Sequence, residues 1–409
     1  MKILHVSYSD LKGGAAIACN RIHNGFLKKK LNSWLLVNEK ISKNSRIIGL
    51  NSVYDNFFNL IKKIFTKIIN KILKHRIGEF YSLNYFKSNT LKRIDILNPD
   101  IVNLHWINNE MISIEEICRI SKPLVWTIVD MWPFSGSEHY NQNKVYLKKN
   151  NLSISSIVNR HILKRKKKLS RCNFEVVAVS NWLSNEAKKS SIFKNKKIHT
   201  IPLGIDFDIW KPTKKIKARR DLNFDNKKKY ILFSSTNGTK DYRKGFEIFL
   251  QAINLLKIDK NLLHLVVIGK LDHKNLLKNI EYTEIKENFF SKPKNLIKFY
   301  SACDLLIAPS LLETFGLVAL EAASCNLPTV AFENTGIADI ISHKKTGYLA
   351  KFLDIKDFAR GVDWFLQGNN KNIGNSIRNY VKNRFSIEII INKYKKIYSK
   401  ILHNNEQRT

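Results

Sequence analysis

The sequence predicts an α/β protein made of two doubly wound domains, each a parallel sheet with helices on both faces. Short, nearly continuous apolar runs alternate with segments of helical periodicity through the first half of the chain. The alternation stops in a stretch rich in proline and basic residues at 202–222 and then starts again. Strands that alternate with helices indicate crossover connections, and the restart of the pattern indicates a second domain.

The candidate strands are short and apolar enough to be covered on both faces. In the first half they lie at 2–7, 34–37, 100–105, 123–128, 174–179 and 197–201, with helical patterns at 15–29 and 181–189. In the second half, strands at 230–234, 264–268, 304–308 and 328–332 alternate with helices at 244–256, 294–302 and 316–324.

These elements predict a first domain over 1–205, a linker over 206–228 and a second domain over 229–384. Prolines and a basic run without clean periodicity mark the linker. The tail, 385–409, is predicted to form a terminal helix that packs back toward the first domain. Ligands of doubly wound sheets bind beyond the carboxyl ends of the strands, so two such domains predict two ligands brought together across a cleft.

The chain carries a formal charge of +36 over 409 residues. Such a charge is typical either of a lysine-rich compositional bias or of an anionic partner, such as a membrane surface, nucleic acid or phosphorylated substrates. The sequence contains no recognised nucleic-acid-binding module, so we expect no nucleic-acid partner. No apolar run approaches the roughly 20 residues that span a bilayer, and the N-terminal apolar run is too short for the core of a secretory signal.

The cysteines favour a reducing compartment. There are five of them, at positions 19, 118, 172, 303 and 325, and no two have the spacing of a metal-binding pair. An odd number of widely spaced cysteines is typical of free thiols in a cytosolic protein. We therefore expect reduced cysteines and a cytoplasmic location.

Two segments that follow strands could bind an anion. Gly13 and Gly14 open a helix after the first strand, where backbone N–H groups can approach a ligand closely. A plain strand-to-helix turn would look the same, and the G-x-G-x-x-G pattern of a standard NAD site is absent. Arg243 and Lys244 stand at the start of a helix in the second domain. Two cations beside a helix N-terminus make a diphosphate clamp, although a solvated charged loop has the same composition.

The run ETFGLVALE places two carboxylates where an apolar strand gives way to an apolar helix. Glu313 lies in the loop, and the backbone N–H groups of Phe315, Gly316 and Leu317 at the helix start could hold phosphate or sugar oxygens. Glu321 lies further along the helix between apolar neighbours, where an ionised carboxylate needs partners. Vicinal hydroxyls, such as those of ribose, suit a carboxylate acceptor.

The same run resembles the E-x7-E motif of retaining glycosyltransferases of family 4, which have the GT-B fold. The tripeptide RKG at 243–245 is similar to the diphosphate element of that family, and the early glycine pair and the segment 329–350 extend the likeness. The resemblance covers most of the chain and is strongest from 230 to 350. It implies a GT-B enzyme, with two Rossmann-like domains facing a cleft.

The resemblance implies transfer of a sugar from a nucleotide-sugar, UDP- or GDP-linked, with retention of anomeric configuration. Arg243, Lys244 and Glu313 are then the catalytic residues: the two cations neutralise the departing diphosphate without a metal or other cofactor, and the carboxylate holds donor-sugar hydroxyls. Glu321 would hold the ribose. The donor-binding residues that it implies are Gly13, Gly14, Arg243, Lys244, Glu313, Phe315, Gly316, Leu317 and Glu321.

The run VWTIVDMWPFSGSEHY is similar to a subgroup of family 4 that assembles bacterial surface polysaccharides of the O-antigen or colanic-acid type. That subgroup has a histidine and a cysteine where this chain has Val129 and Glu138. The histidine contacts the donor sugar in the family, so its replacement leaves the donor preference and the activity itself open. His105, Asp130 and His139 are acceptor-side candidates, with a structural role for either histidine as the alternative.

The segment 59–76, NLIKKIFTKIINKILKHR, is amphipathic and basic. Apolar residues recur at 60, 61, 64, 65, 68, 69, 72 and 73, five lysines fill the other side, and the run contains no acidic residue. This pattern is typical of an interfacial helix that binds anionic lipid, and a helix packed on the domain core is the alternative. The acceptor in the resembled family is often lipid-linked, so we expect peripheral contact with the inner leaflet of the cytoplasmic membrane.

The sequence therefore predicts a retaining hexosyltransferase that extends a cell-surface glycan, which we expect to be lipid-linked. The main alternative is a catalytically impaired GT-B scaffold or binding protein, which the valine at position 129 allows. A phosphorylase or an inverting GT-B enzyme is a closer rival, and a nucleic-acid-binding protein is suggested by charge alone.

Overall fold

The computed structural model describes residues 1–50, 53–74, 77–140, 154–272, 274–277, 280–285, 293–368 and 374–407. The chain forms two compact units. The first contains Met1–His75, Glu79–Gly204 and Ile387–Thr409, and the second contains Arg76–Gly78 and Ile205–Ser386. The predicted linker, 206–228, lies in the second unit and includes a short helix at Lys215–Asp221.

The first unit contains a parallel seven-stranded sheet in the order β3-β2-β1-β4-β5-β6-β7. Its strands are β1 (Lys2–Ser9), β2 (Asn32–Glu39), β3 (Ile47–Gly49), β4 (Ile101–Leu104), β5 (Leu124–Ile128), β6 (Glu175–Ala178) and β7 (Ile198–Thr200). Its helices are α1 (Gly14–Lys28), α2 (Val53–Leu73), α3 (Thr90–Leu97), α4 (Ile114–Ile117), α5 (Ile154–Lys166) and α6 (Asn181–Lys189).

The second unit contains a parallel six-stranded sheet in the order β10-β9-β8-β11-β12-β13. Its strands are β8 (Lys229–Ser234), β9 (Leu263–Ile268), β10 (Glu281–Ile285), β11 (Leu305–Ala308), β12 (Thr329–Phe332) and β13 (Gly347–Ala350). Its helices are α7 (Lys215–Asp221), α8 (Phe246–Ile253), α9 (Pro293–Ala302), α10 (Leu317–Ser324), α11 (Ile355–Leu366) and α12 (Gly374–Phe385). The last helix of the chain, α13 (Ile387–Glu406), belongs to the first unit.

All ten predicted strands are confirmed, and the described part of the chain contains three further strands that were not predicted. The missed strands are β3, β10 and β13, and each lies at an edge of its sheet. An edge strand has a neighbour on one side only and is often short or part-exposed, so its sequence lacks the continuous apolar run of a central strand. β3 is only three residues long, and β10 reads EYTEI with no fully buried residue.

Helix α13 completes the core of the first unit. The side-chain amide of Asn103 in β4 donates a hydrogen bond to the hydroxyl of Tyr398 (2.6 Å), and the hydroxyls of Thr127 and Tyr394 lie 3.2 Å apart. Gly25 lets α1 pack closely against α13, because a Cβ at this position would lie 2.7 Å from the side chain of Ile391. Residues from α1, β1, β4, β5, β6 and α13 form one buried apolar cluster.

The faces of α2 differ from the amphipathic pattern that the sequence predicts. Lys62, predicted on the polar side, is buried and its ammonium donates to the backbone oxygen of Lys87 (3.0 Å). Asn70 exchanges two hydrogen bonds of 2.9 Å with the backbone of Tyr81, and Leu73 is buried. These residues form the face that packs on the unit. The last two residues of the predicted segment 59–76 lie outside the described residues.

Outside this face most described residues of α2 are exposed, and the exposed residues form two groups. Because helical positions three and four apart share a face, the exposed apolar residues form one continuous stripe, here called the apolar sector. Its members are Phe57, Leu60, Ile61, Ile64, Ile68 and Ile72. Exposed lysines at 63, 67, 71 and 74 lie along its side.

The structure corrects the expectation that all cysteines are reduced. Cys118, which follows α4, forms a disulfide with Cys172, and their Cα atoms are 5.4 Å apart. The other three cysteines are buried free thiols. The partners are 54 residues apart in the sequence, and no local spacing indicates which of five cysteines pair across that distance.

Candidate functional site

The loop that follows β8 is packed against the loop that follows β11, its neighbour in the sheet. Gly245 has a φ of 65°, and a Cβ there would lie 1.9 Å from the backbone oxygen of Pro309. The N–H of Leu311 donates to the backbone oxygen of Arg243 (2.7 Å). Only glycine combines the positive φ with so close a backbone approach. The RKG tripeptide is therefore held at the carboxyl ends of two adjacent strands.

Both cations of this tripeptide have carboxylate partners. The ammonium of Lys244 lies 2.5 Å from Oε2 of Glu313. The guanidinium of Arg243 donates two hydrogen bonds to Asp241, of 3.0 and 2.6 Å. Asp241 is buried and also accepts from Asn237 (3.0 Å). Burial alone would raise the pKa of Asp241, but the hydrogen bonds and charge of Arg243 outweigh it, and the pKa lies below its ordinary value.

The backbone around Glu313 is fixed by the segment that follows β12. The N–H of Gly336 donates to the backbone oxygen of Glu313 (2.7 Å), and a Cβ at Gly336 would lie 2.1 Å from the backbone oxygen of Thr314. Gly316 has a φ of 98° and precedes α10, and a Cβ there would meet Ile337 at 2.6 Å. Gly316 therefore provides the positive φ that this loop needs before α10 begins, and Gly336 provides the space for its backbone to pack closely.

The start of α10 presents backbone rather than side chains. The ring of Phe315 is buried against Phe385, with centroids 6.0 Å apart. The first N–H groups of a helix have no acceptor within it, so they provide hydrogen-bond donors at this end. Glu321 lies further along α10, is 8% exposed, and accepts from the hydroxyl of Tyr300 (3.4 Å).

The structure brings Lys244 and Glu313 into contact and places Arg243 in the same turn, whereas Glu321 bonds a different partner on α9. Asp241 and Tyr300 were not predicted from the sequence. The aspartate could have been found from its spacing, because a carboxylate two residues before an arginine can reach its guanidinium across a turn. Tyr300 is 21 residues from Glu321, and no local pattern pairs them.

In the first unit, the glycine pair adopts the predicted strand-to-helix turn. Gly13 precedes α1 with a φ of 90°, and a Cβ there would meet no atom within 4 Å. The conformation, and not a lack of space, therefore requires glycine. The buried carboxylate of Asp10, which the sequence analysis did not single out, accepts from the N–H groups of Ile41 (2.9 Å) and Ser42 (2.8 Å). It ties the loop after β1 to the loop after β2.

Asp130 and His139 form a buried pair. Nδ1 of His139 lies 2.6 Å from Oδ2 of Asp130, which also accepts from the indole N–H of Trp106 (2.9 Å). Nε2 of His139 lies 2.9 Å from the hydroxyl of Ser82 and 3.1 Å from the side-chain amide of Asn108. Protein atoms engage both ring nitrogens of His139. This geometry favours a role in holding the loop after β5 over a role in proton transfer.

His105 lies in a second buried cluster. Its Nε2 is 3.0 Å from Nδ1 of His5, and burial lowers its pKa to about 3. Ligand atoms of His5, Cys19 and His105 lie within 4.8 Å of one another, the one such group of three among the described residues. Burial lowers the pKa of His5 and raises that of the Cys19 thiol. Burial thus disfavours the charged form of all three side chains, and a metal would first have to displace the thiol proton.

A buried lysine holds the loop that follows Asp130. The ammonium of Lys166 donates to the backbone oxygens of Trp132, Ser135 (3.3 Å) and Gly136 (2.7 Å), and lies 3.5 Å from the centroid of the Trp132 ring. Burial keeps the pKa of Lys166 well below its ordinary value. Three carbonyl acceptors for one amine define the shape of this loop. Val129, at the end of β5, is half-buried.

Glu138 stands where the resembled subgroup has cysteine. Burial raises the pKa of its carboxyl from 4.5 to about 7. The side-chain amide of Asn159 donates to it (3.1 Å), which partly opposes this rise. The group therefore titrates near neutral pH.

Residues 214–384 match the family described as Glycosyl transferases group 1. Over 250 residues the chain is 24% identical to the capsular polysaccharide biosynthesis glycosyltransferase CapM of Staphylococcus aureus, a match that covers 58% of this chain and 64% of that protein. The matched region spans about three fifths of the length of three curated relatives and about two fifths of the length of several others.

Solved structures share the fold over both units. Sucrose-phosphate synthase from Thermosynechococcus elongatus is 16% identical with a TM-score of 0.71, covering 99% of this chain and 100% of that one. The Anabaena protein HepE, solved in complex with UDP-glucose, is 15% identical with a TM-score of 0.65, covering 98% and 100%. These likenesses confirm the predicted GT-B fold, with its two Rossmann-like α/β domains.

The backbone contact at Gly245 predicts a large cost for any side chain there. Gly245→Ala is expected to lower the free energy of unfolding by about 3 kcal/mol, the sum of the positive φ at about 1–2 kcal/mol and the clash with Pro309 at about 1–3 kcal/mol. The control is Gly368→Ala in the same unit, where φ is 83° and the space is open, so only the first cost applies. Urea unfolding measures both; equal losses would contradict the clash.

The raised pKa of Glu138 predicts a pH-dependent stability. Between pH 4.5 and about 7 the folded protein holds a proton that the unfolded chain has lost. The stabilisation is therefore complete below pH 4.5 and decreases as the pH rises to 7. Glu138→Gln removes this decrease. The difference in free energy of unfolding between the variant and the natural protein should therefore shift in favour of the variant by on the order of 2 kcal/mol between pH 4.5 and pH 7.5. Urea unfolding at both pH values tests this; parallel pH profiles would contradict it.

Proposed function

Because residues 214–384 form a glycosyl transferases group 1 domain, we propose that this protein is a glycosyltransferase that moves a sugar from a nucleotide-sugar to a growing cell-surface glycan. The observation that carries the proposal is the contact between Lys244 and Glu313 at the carboxyl ends of β8 and β11. It offers a positive charge for a diphosphate beside an acceptor for sugar hydroxyls. The HepE complex with UDP-glucose and the name of the CapM relative support the donor and product classes.

The two cations act on the leaving group. In the proposed reaction the bond between the anomeric carbon and the diphosphate oxygen breaks, and the acceptor hydroxyl bonds to the same face of that carbon, which retains the configuration. The hydroxyl proton passes to the departing phosphate oxygen. Arg243 and Lys244 stabilise the charge that develops on the diphosphate without a metal or other cofactor. Asp241 orients the guanidinium through its two hydrogen bonds.

The carboxylates and the start of α10 hold the neutral parts of the donor. Glu313 accepts from hydroxyls of the sugar, and the backbone N–H groups of Phe315, Gly316 and Leu317 donate to donor oxygens. Glu321 accepts from the ribose hydroxyls, with the hydroxyl of Tyr300 fixing one of its oxygens. The turn at Gly13 and Gly14 in the first unit offers its backbone N–H groups to an anion.

The geometry of the first unit gives the proposed enzyme no free imidazole at the candidate positions. His139 contacts Asp130 and two further side chains, and His105 contacts His5. We therefore propose that these residues shape the acceptor side and take no part in proton transfer. A catalytically impaired scaffold is the second candidate function, because this chain has Val129 where the resembled subgroup has a histidine.

We further propose that the protein lies on the inner leaflet of the cytoplasmic membrane through α2 and extends a lipid-linked acceptor. The apolar sector of α2 is exposed along its length, with Leu60 56% and Ile72 54% exposed, and lysines follow it on one side. An exposed apolar stripe beside a row of lysines fits the interface of an anionic bilayer. No helix within the described ranges is long and apolar enough to cross a bilayer.

The cationic clamp predicts a loss of turnover without a loss of fold. Lys244→Met is expected to lower sugar transfer by about 10²-fold or more, because one donor to the developing diphosphate charge is removed. The control, Lys240→Met, removes an exposed lysine in the same loop and should change turnover by less than about twofold. Nucleotide release and product formation are measured with a panel of UDP- and GDP-sugars, and circular dichroism checks the fold.

Two outcomes of this assay contradict the proposal. Equal turnover in Lys244→Met and the natural protein would exclude a role for the clamp. No release of nucleotide from any donor in the panel, with a folded protein and an acceptor extract present, would favour the impaired scaffold. The anomeric configuration of the product, read by NMR, separates retention from inversion.

The apolar sector predicts binding to anionic vesicles. The double variant Ile64→Asp and Ile68→Asp should reduce partitioning onto phosphatidylglycerol vesicles by about tenfold or more. It removes apolar area that would enter the bilayer on binding, and it adds negative charge. The control is Ile216→Asp in α7, an isoleucine that is 75% exposed on the other unit. Co-sedimentation at low and high salt measures the effect. Binding that ignores lipid charge and salt, or that is equal in both variants, would contradict the membrane role.

A further inference from the structure

The first unit contains a cavity of about 270 Å³ beside α2. It lies where ligands of parallel sheets bind, beyond the carboxyl ends of strands. Asn38 is near the end of β2, and Leu50 follows β3. The other side is formed by α2 and by the segment that precedes α3. The lining residues are Asn38, Leu50, Phe58, Asn59, Lys62, Lys87, Ser88 and Asn89.

The lining is polar and positively charged. It offers two ammonium groups, three side-chain amides and a hydroxyl, with apolar contacts at Leu50 and Phe58, and none of the eight lining residues carries a carboxylate. Ammonium groups are donors only, and amides and hydroxyls can donate to an anion or bond to sugar hydroxyls. Two lysines with amides are a set that suits phosphate oxygens.

Lys62 contributes a buried amine to this cavity. Its side chain is only 8% exposed, and its ammonium donates to the backbone oxygen of Lys87 at 3.0 Å. The neighbouring carboxyl of Glu110 accepts three backbone N–H bonds, from Asn84 (2.7 Å), Tyr85 (2.5 Å) and Phe86 (3.1 Å). A second carboxylate, that of Glu116, accepts from the N–H of Ser88 (3.0 Å), and neither glutamate is among the residues that line the cavity. The ammonium groups of Lys62 and Lys87 are therefore the charged groups of the lining.

The size and position of the cavity limit what it can hold. Pockets for drug-sized ligands usually measure about 300–1,000 Å³, so this cavity fits a single phosphate-bearing head group and not a whole nucleotide-sugar. Phe58 lines the cavity and is itself 41% exposed, next to the apolar sector of α2. A ligand in the cavity would therefore lie beside the surface that we propose to rest on the membrane.

We propose that this cavity binds the phosphate group of a phosphorylated acceptor, with Lys62 and Lys87 contacting the phosphate oxygens and Asn38, Ser88 and Asn89 bonding adjoining hydroxyls. The binding step stands on the cavity alone, whereas its place in the reaction rests on the proposed function. The shared chemistry is a phosphate ester, which a membrane lipid or a soluble sugar phosphate could supply.

The test measures binding by the full-length protein without any donor, so it does not depend on turnover. Glycerol 3-phosphate is titrated into the natural protein by isothermal calorimetry, and glycerol serves as the uncharged comparison. Lys62→Met and Lys87→Met each remove one ammonium and keep the aliphatic stem. The matched control is Lys67→Met, an exposed lysine of α2 that does not line the cavity. Circular dichroism confirms that each variant is folded.

The proposal predicts millimolar binding of glycerol 3-phosphate, none of glycerol, at least tenfold weaker binding in Lys62→Met and Lys87→Met, and unchanged binding in Lys67→Met. Because Lys87 is exposed, its variant keeps the test valid if Lys62→Met fails to fold. No binding by the natural protein, or equal weakening in all three variants, would overturn the proposal.

Vesicles distinguish the two sources of the phosphate. Phosphatidic acid is compared with phosphatidylglycerol at equal surface charge. If binding to phosphatidic acid, but not to phosphatidylglycerol, falls in Lys62→Met and Lys87→Met, the cavity takes a lipid head group. If only glycerol 3-phosphate binding depends on these lysines, the cavity takes a soluble phosphate ester. The transfer assay with Lys244→Met does not depend on these binding experiments. The proposed function can therefore be contradicted while phosphate binding in the cavity is confirmed, and phosphate binding can be contradicted while the proposed function is confirmed.

Discussion

The backbone approach of Gly245 to the carbonyl oxygen of Pro309 is the constraint on which the candidate site of the second unit depends. It presses the loop after β8 against the loop after β11, and the hydrogen bond from Leu311 to Arg243 closes the same contact. Only because these two loops touch does Lys244 reach Glu313, which lies 69 residues further along the chain. Backbone geometry thus positions the charged residues of the site, and it brings the ammonium of Lys244 close enough to pair with the carboxylate of Glu313.

The first unit achieves the same rigidity by burying polar groups. The loop after β5 is fixed by hydrogen bonds from the ammonium of Lys166 to its backbone oxygens and by the contact between Asp130 and His139. Each of these groups has protein partners, since an unpaired polar group would be costly at such depth. Neither His139 nor His105 is therefore available to replace the histidine that the resembled subgroup has at position 129. At these candidate positions the described part of the first unit offers a loop of fixed shape, with both imidazoles bonded to protein atoms.

Much of the fold could be predicted because central parallel strands are covered on both faces and leave continuous apolar runs. Edge strands such as β10 lack that signature, and the pairing of Cys118 with Cys172 across 54 residues leaves none. The RKG and ETFGLVALE runs indicated the site residues, but their partners Asp241 and Tyr300 depend on how the loops fold. In α2 the sequence separates apolar from basic residues but not packed from exposed ones. Ile64 is exposed while Lys62 is buried, because the tertiary contact with Lys87 overrides the pattern.

The ion pair between Lys244 and Glu313 also bears on which anions the site would accept. Each cation of the RKG tripeptide has a carboxylate counterion, at 2.5 Å for Lys244 and 2.6 Å for Arg243. A simple inorganic anion would have to compete with these carboxylates and would leave Glu313 without its cation. A ligand that brings hydroxyls together with its phosphates compensates both partners at once. The internal pairing thus disfavours free phosphate and sulfate at this site.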